Sequence, residues 1–209
     1  MAITTLFVQN VLKNDTWTLG NNVLYELCRV HPGHSRDDEI AAKIWLIGRS
    51  YAASIERRRK VEESAQGDNF FYNRVIPMVL ESNIDDWIRA ASSEPEDQDE
   101  IALRTHKSVQ TLFCEISGLN KRSLASKYLH FHAPKKFFFY DTRAAKALAS
   151  LSNGFRTRSV SPDHDRTYAG FVQRCRYLNK TIAEITGALL SPRDFDKVLL
   201  EYIRQTEGR

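Results

Sequence analysis

Four aromatic residues in a row, Phe137-Phe-Phe-Tyr140, run directly into Asp141-Thr-Arg143. No soluble fold leaves such a run in water, so the segment must lie within a core. It therefore holds the carboxylate that follows on a rigid support. Asp141 is placed to cap a helix over Thr142–Leu151, accepting backbone N–H bonds at its first turn. From Asn120 to Arg158 there are nine Lys or Arg residues and a single acid, Asp141. A lone carboxylate in so basic a setting is a helix cap, a catalytic group, or both.

Around this segment the chain reads as all-α. Apolar residues recur at helical spacing from Ile40 to Ile55, behind Ser35-Arg-Asp-Asp38, which has the outline of a capping box. That helix is expected to run to about Glu63, its end complemented by Arg57-Arg-Arg-Lys60. Helical segments are expected over Asn69–Ser92, with Pro77 at a start or kink. Others lead from Ile101 to Ile116 and cover Tyr168–Leu178 and Thr181–Leu190. A last one follows the Ser191-Pro-Arg-Asp194 cap to about Gln205. Two short helices, or a helix and a loop, fill Ile3–Val30. The 209 residues suit one domain, with the acidic stretch 92–100 as a possible lobe boundary and the segment of interest spanning 101–152. Trp17, Trp45 and Trp87 are expected in the core, and His31-Pro-Gly-His34 on a surface turn.

Composition narrows the partners. Residues 1–103 carry 11 basic and 17 acidic side chains, and residues 104–209 carry 19 and 9. The split suggests a basic face for a polyanion, most simply nucleic acid, against the plainer reading of a solvated surface. No apolar run reaches the length of a membrane span and no signal peptide is evident, so the expected location is cytoplasmic, away from membranes. Cys28, Cys114 and Cys175 are widely spaced and suggest reduced thiols, with no metal and no cofactor expected.

The central stretch, Ile116-Ser-Gly-Leu-Asn-Lys-Arg122, reads as a turn between two helices. Amides at a helix N-terminus favour phosphate. Gly118 permits close approach, Asn120 tolerates left-handed geometry, and Lys121 and Arg122 add charge. With Phe139-Tyr-Asp-Thr142 downstream, the chain resembles the helix–hairpin–helix DNA glycosylases, the superfamily of 8-oxoguanine glycosylase and endonuclease III. Their hairpin Leu-Pro-Gly-Val-Gly-x-Lys is followed nearly twenty residues on by a Val-Asp segment whose Asp caps the next helix and is catalytic. The resemblance covers roughly thirty residues. It implies an all-α bilobed fold acting as a monomer on double-stranded DNA with a damaged or modified base. Such enzymes flip the base and cleave its N-glycosidic bond.

Two registers are open for the family's nucleophilic lysine. Aligning the hairpin puts Arg122 there, with Lys121 adjacent, and Arg cannot form a Schiff base. Aligning Ala125-Ser-Lys127 puts Lys127 there; it is preferred because Ala-Ser-Lys-Tyr-Leu-His-Phe resembles bacterial oxoguanine-glycosylase-fold proteins. Phosphate contacts are expected from Gly118, Asn120, Lys121, Arg122, Lys135, Lys136, Arg143, Arg156 and Arg158. A base pocket is expected from His130, His132, Tyr128 and Tyr140, although a core or capping histidine is the commoner role for each. Repair and defence against modified phage DNA are both compatible with such an enzyme. The rival readings are a non-catalytic helix–hairpin–helix DNA-binding module and a helical adaptor for an acidic protein.

Overall fold

A computed structural model describes residues 3–14, 16–57 and 68–207, and among these residues it is helical without strands. The helices are α1 (Thr5–Leu12), α2 (Thr18–Val30), α3 (Asp37–Ser50), α4 (Asp68–Phe70), α5 (Ile76–Leu80), α6 (Ile84–Ser93), α7 (Glu100–Ser117), α8 (Arg122–His132), α9 (Thr142–Leu151), α10 (Arg166–Thr186) and α11 (Pro192–Glu207). A π turn at Phe71–Val75 joins α4 to α5, and the Ile76 N–H reaches back five residues to the Phe71 carbonyl. Pro77, in the first turn of α5, has no N–H to continue an α ladder, which accounts for the change of register.

Buried side chains form two clusters. The first gathers α2 to α8 around Ile40, Ile44, Ile47, Val75, Val109 and Phe113. The second packs α1 with α9, α10 and α11, around Ala144, Leu148, Val172, Cys175, Phe195 and Leu199. The acidic stretch 92–100 therefore joins α6 to α7 within the first cluster and does not separate the two. α7 gives Leu103 to the second cluster, and the aromatic run also crosses between the two. Successive side chains of an extended segment point to opposite sides. Phe137 and Phe139 enter the first cluster and Phe138 the second. The segment is a seam, stitched alternately into both cores.

Several expectations need correction. α3 ends at Ser50, well short of Glu63, although apolar spacing continues to Ile55; residues 58–67 lie outside the described residues. Gly48 lets the chain fold back, since a Cβ there would stand 3.2 Å from the Ser54 Cα. The Ala53 N–H bonds the Gly48 carbonyl at 2.8 Å, and Ala52 takes a left-handed φ of 50°. The first helical turn of α3 is acidic as expected, but its N-cap is Arg36, without a side-chain bond. α10 is one continuous helix closed by Gly187 at φ 85°, replacing the two expected over 168–190. Trp17 and Trp45 are exposed. His34 is buried: its Nδ1–H donates to Asp85 at 2.6 Å and its Nε2 accepts from the Tyr128 hydroxyl.

Candidate functional site

α7 and α8 meet through a short turn. Gly118, at φ 69°, closes α7 in the left-handed region, its N–H on the Cys114 carbonyl at 2.7 Å. Asn120 Oδ1 accepts the Arg122 N–H at 3.0 Å at the start of α8. Gly118 and Asn120 are exposed. A groove of about 450 Å³ lies along this turn, lined by Ala52, Ser54, Arg57, Asn120 and Ser123 among others.

Lys127 projects from the second turn of α8 with 5% of its side chain exposed. Its Nζ donates to Ser123 Oγ at 3.0 Å, stands 3.5 Å from Asp141 Oδ2 and lies 5.7 Å from the centre of the Tyr51 ring. Asp141 is the N-cap of α9, and its Oδ1 accepts the Ala144 N–H at 2.8 Å. Its other oxygen is left for Lys127. Three bonds hold the seam that carries it. Ser126 Oγ accepts the Tyr140 N–H at 3.0 Å, the Tyr168 hydroxyl donates to the Phe138 carbonyl at 3.0 Å, and His130 Nδ1 donates to the Phe137 carbonyl at 2.8 Å. An amine and a carboxylate are thus fixed together, the carboxylate with 30% of its side chain open. Such a pair can attack a carbon electrophile and oppose positive charge developing on it.

Of the expected base pocket, the structure assembles little. Tyr128 is fully buried and bonded to His34, with Phe113 edge-on at 5.5 Å. His130 is a core residue: with its Nδ1–H on a carbonyl, its Nε2 must accept, and the Tyr25 hydroxyl donates to it at 2.6 Å. Burial pushes its pKa down to about 3. His132 packs between His34 and Tyr128, and burial drives its pKa well below the usual histidine range. Tyr140 is half-buried against Phe171, with the Arg122 guanidinium 5.4 Å from its ring centre.

The expected phosphate contacts divide. Lys121 faces inward, its Nζ on the Ser54 carbonyl at 2.8 Å and the Arg57 carbonyl at 2.5 Å; burial lowers its pKa to about 8. Lys136 is buried on the carbonyls of Pro95 and Gln98 and on Glu94. Arg122 pairs with Asp165, the N-cap of α10, at 2.8 Å. Lys135 meets Glu96 in the open. Arg143, Arg156 and Arg158 are exposed.

Sequence reasoning missed the residues that face Lys127 from other elements. Tyr51, in the turn after α3, donates to Asn21 Oδ1 of α2 at 2.6 Å. Arg193, in the first turn of α11, lies 5.9 Å from the Tyr51 ring centre and 5.4 Å from that of Phe139. Asp196, 4% exposed, accepts from Arg193 Nη1 at 2.8 Å. A readable signal existed for Asp196, since it interrupts the buried stripe Pro192, Leu199, Ile203 at helical spacing. Among the described residues no group of His, Cys, Asp or Glu is arranged to hold a metal ion, and no helix is long and apolar enough to cross a membrane. The three cysteines are free thiols. The chain matches no protein-family model, no curated protein and no solved structure.

Proposed function

We propose that the protein is a DNA N-glycosylase that extrudes a damaged or modified base from duplex DNA and cleaves its N-glycosidic bond. The observation that carries this reading is the Lys127 amine 3.5 Å from the Asp141 carboxylate, on a helix-capping residue that follows a buried aromatic run. In the reaction, the Lys127 lone pair attacks the sugar C1′ while the C1′–N bond breaks and its electrons leave with the base. Asp141 opposes the positive charge that builds on the sugar. Support for a DNA partner comes from the exposed turn of Gly118 and Asn120 before α8, since a helix N-terminus suits a phosphate. The exposed Arg143, Arg156 and Arg158 extend that charge.

The test is borohydride trapping on a panel of duplexes holding modified bases or an abasic site. Wild type should form a permanent protein–DNA adduct and Lys127→Ala none, while both bind DNA alike. Base release without any adduct would assign the attack to water beside Asp141. DNA affinity with neither product nor adduct would leave a non-catalytic DNA-binding module.

A further inference from the structure

We propose, building on the glycosylase reading, that Asp196 is a positioning residue that takes the proton Lys127 must lose to become a nucleophile. Asp196 sits on the buried face of α11, yet only Oδ2 is used: it accepts one bond from Arg193 Nη1, while Oδ1 is buried without a partner. Arg193 Nε is likewise buried and unpartnered. A carboxylate kept only to neutralise an arginine gains most from a two-bond fork that uses both oxygens. Here one oxygen is held back, and buried polar atoms are rarely left so without a role.

The surroundings point the pair at the site. The Tyr51 ring has Lys127 Nζ 5.7 Å from its centre and the Arg193 guanidinium 5.9 Å from the same centre, so the amine and the Arg193–Asp196 pair are neighbours of one aromatic ring. The charged and titratable groups around Asp196 are Arg193 on its own helix, Asp141 at the cap of α9 and Lys127 on α8. Tyr25 on α2, Tyr51 after α3 and Cys175 on α10 also lie within its field. Burial pushes the Asp196 carboxyl up to about 7, with Arg193 opposing and Asp141 reinforcing the rise. A group that titrates near the working pH is suited to accept and hold a proton.

The step balances. Lys127-NH3+ and Asp196-COO− become Lys127-NH2 and Asp196-COOH, the proton passing through water, since no direct bond joins the two side chains. The free amine bonds to C1′ as the C1′–N bond breaks, and the base leaves with the bonding electrons and takes, through water, the first proton shed by the substituted nitrogen. The C1′–O4′ bond then breaks with its electrons on O4′, which takes the second N–H proton, and the nitrogen lone pair forms the C1′=N imine. When the imine is hydrolysed, the released amine recovers its proton from Asp196. Asp141 keeps its separate part, since one of its oxygens is tied to the α9 backbone.

The experiment uses a duplex with a single abasic site, whose C1′ aldehyde condenses with any neutral, well-placed amine. Borohydride trapping is followed from about pH 5.5 to about pH 9.5 for wild type and Asp196→Asn. Wild-type trapping should rise through an acid limb near pH 7. In Asp196→Asn it should fall about tenfold or more near pH 7, the limb moving up by roughly one pH unit or more and most of the yield returning by about pH 9.5. Trapping in the variant with an unchanged limb overturns the role of Asp196 and leaves the lysine chemistry standing. Absence of any wild-type adduct overturns both. Carboxyl 13C titration guards against a misfolded variant: a wild-type Asp resonance should titrate near neutrality and move upward in Lys127→Met. A resonance indifferent to Lys127 also refutes the proposal.

Discussion

Lys127 and Asp141 stand 3.5 Å apart across fourteen positions of sequence, one on the wall of a helix and the other at the first turn of the next. The distance is set by the backbone more than by the side chains, since Ser126 binds the Tyr140 N–H one residue away from each. Substitutions at either residue should therefore change chemistry with little disturbance of the fold.

For Asp141→Asn the amide oxygen can still accept the Ala144 N–H, and Asn and Asp are near equals as N-caps. Stability should stay within about 0.5 kcal/mol of wild type in urea titration. Base excision should drop by roughly a hundredfold or more, because a neutral amide cannot oppose charge on the sugar. Undiminished excision would make the residue a cap alone.

The buried lysines should behave as parts of the frame. Lys121→Met and Lys136→Met each strand carbonyls that now accept from an ammonium group, at a cost of about 1–3 kcal/mol per buried group left bare. Neither should alter the salt dependence of DNA binding. Arg156→Ala with Arg158→Ala should do the reverse, lowering the slope of log affinity against log salt by about 0.9 for each phosphate that is no longer neutralised. Filter binding at several salt concentrations with parallel melts separates the two groups.

Acid should weaken the fold before carboxylates matter. Burial holds His130 and His106 down at about 3 in the native state, while in the unfolded chain they protonate near about 6.5. Between those values the unfolded state binds more protons, so stability falls as pH drops from about 6.5 towards 3. Asp196 acts in the opposite sense. Its native pKa is raised to about 7, so its contribution is present at low pH and is lost as pH rises through 7. Urea midpoints should fall between about pH 7 and pH 4.5, less steeply in His130→Gln. Asp196→Asn should gain on wild type as pH rises from about 4 to 8; a constant difference would contradict the assignment.

The turn after α3 gives a further contrast. Ala52 is held at a φ that glycine adopts freely, so Ala52→Gly should relieve strain of about 1 kcal/mol. Gly48→Ala should instead press on the Ser54 backbone 3.2 Å away and displace Tyr51. A higher melting temperature for the first and a lower one for the second, with reduced trapping, is the expected pair of results.

Helix positions, the Asp141 cap and the Ser191 cap were legible because local rules govern them. Ser191 Oγ does accept the Asp194 N–H at 3.1 Å. Lys127 was singled out by the resemblance of Ala-Ser-Lys-Tyr-Leu-His-Phe and not by a local rule; its approach to Asp141 is set by the fold. The end of α3 was not, because apolar periodicity runs on past Ser50 while the stop comes from a backbone approach at Gly48. The orientation of Lys121 and Lys136 was hidden for a related reason. A basic residue in sequence looks the same whether it meets solvent or a cluster of carbonyls, and those carbonyls lie 64 and 67 residues away for Lys121 and 38 and 41 for Lys136. Tyr128, His130 and His132 looked polar enough for a pocket. For the first two the polarity is absorbed inside the core by His34, Tyr25 and the Phe137 carbonyl, and His132 is shut in between two rings.

The packing of α1 against α10 and α11 has a consequence for how the chain comes off the ribosome. α1 is made early, and its buried residues Val8 and Val11 have no lasting shelter until the final helices emerge some 180 residues later. The first cluster can condense in the meantime, since its members lie between α2 and the end of the seam. Assembly should therefore finish with α11 closing over α1, and the same closure delivers Arg193 and Asp196 to Tyr51. α11, made after the other elements of both clusters, completes the second core, so a chain shortened before it would carry Lys127 and Asp141 without the Arg193–Asp196 pair.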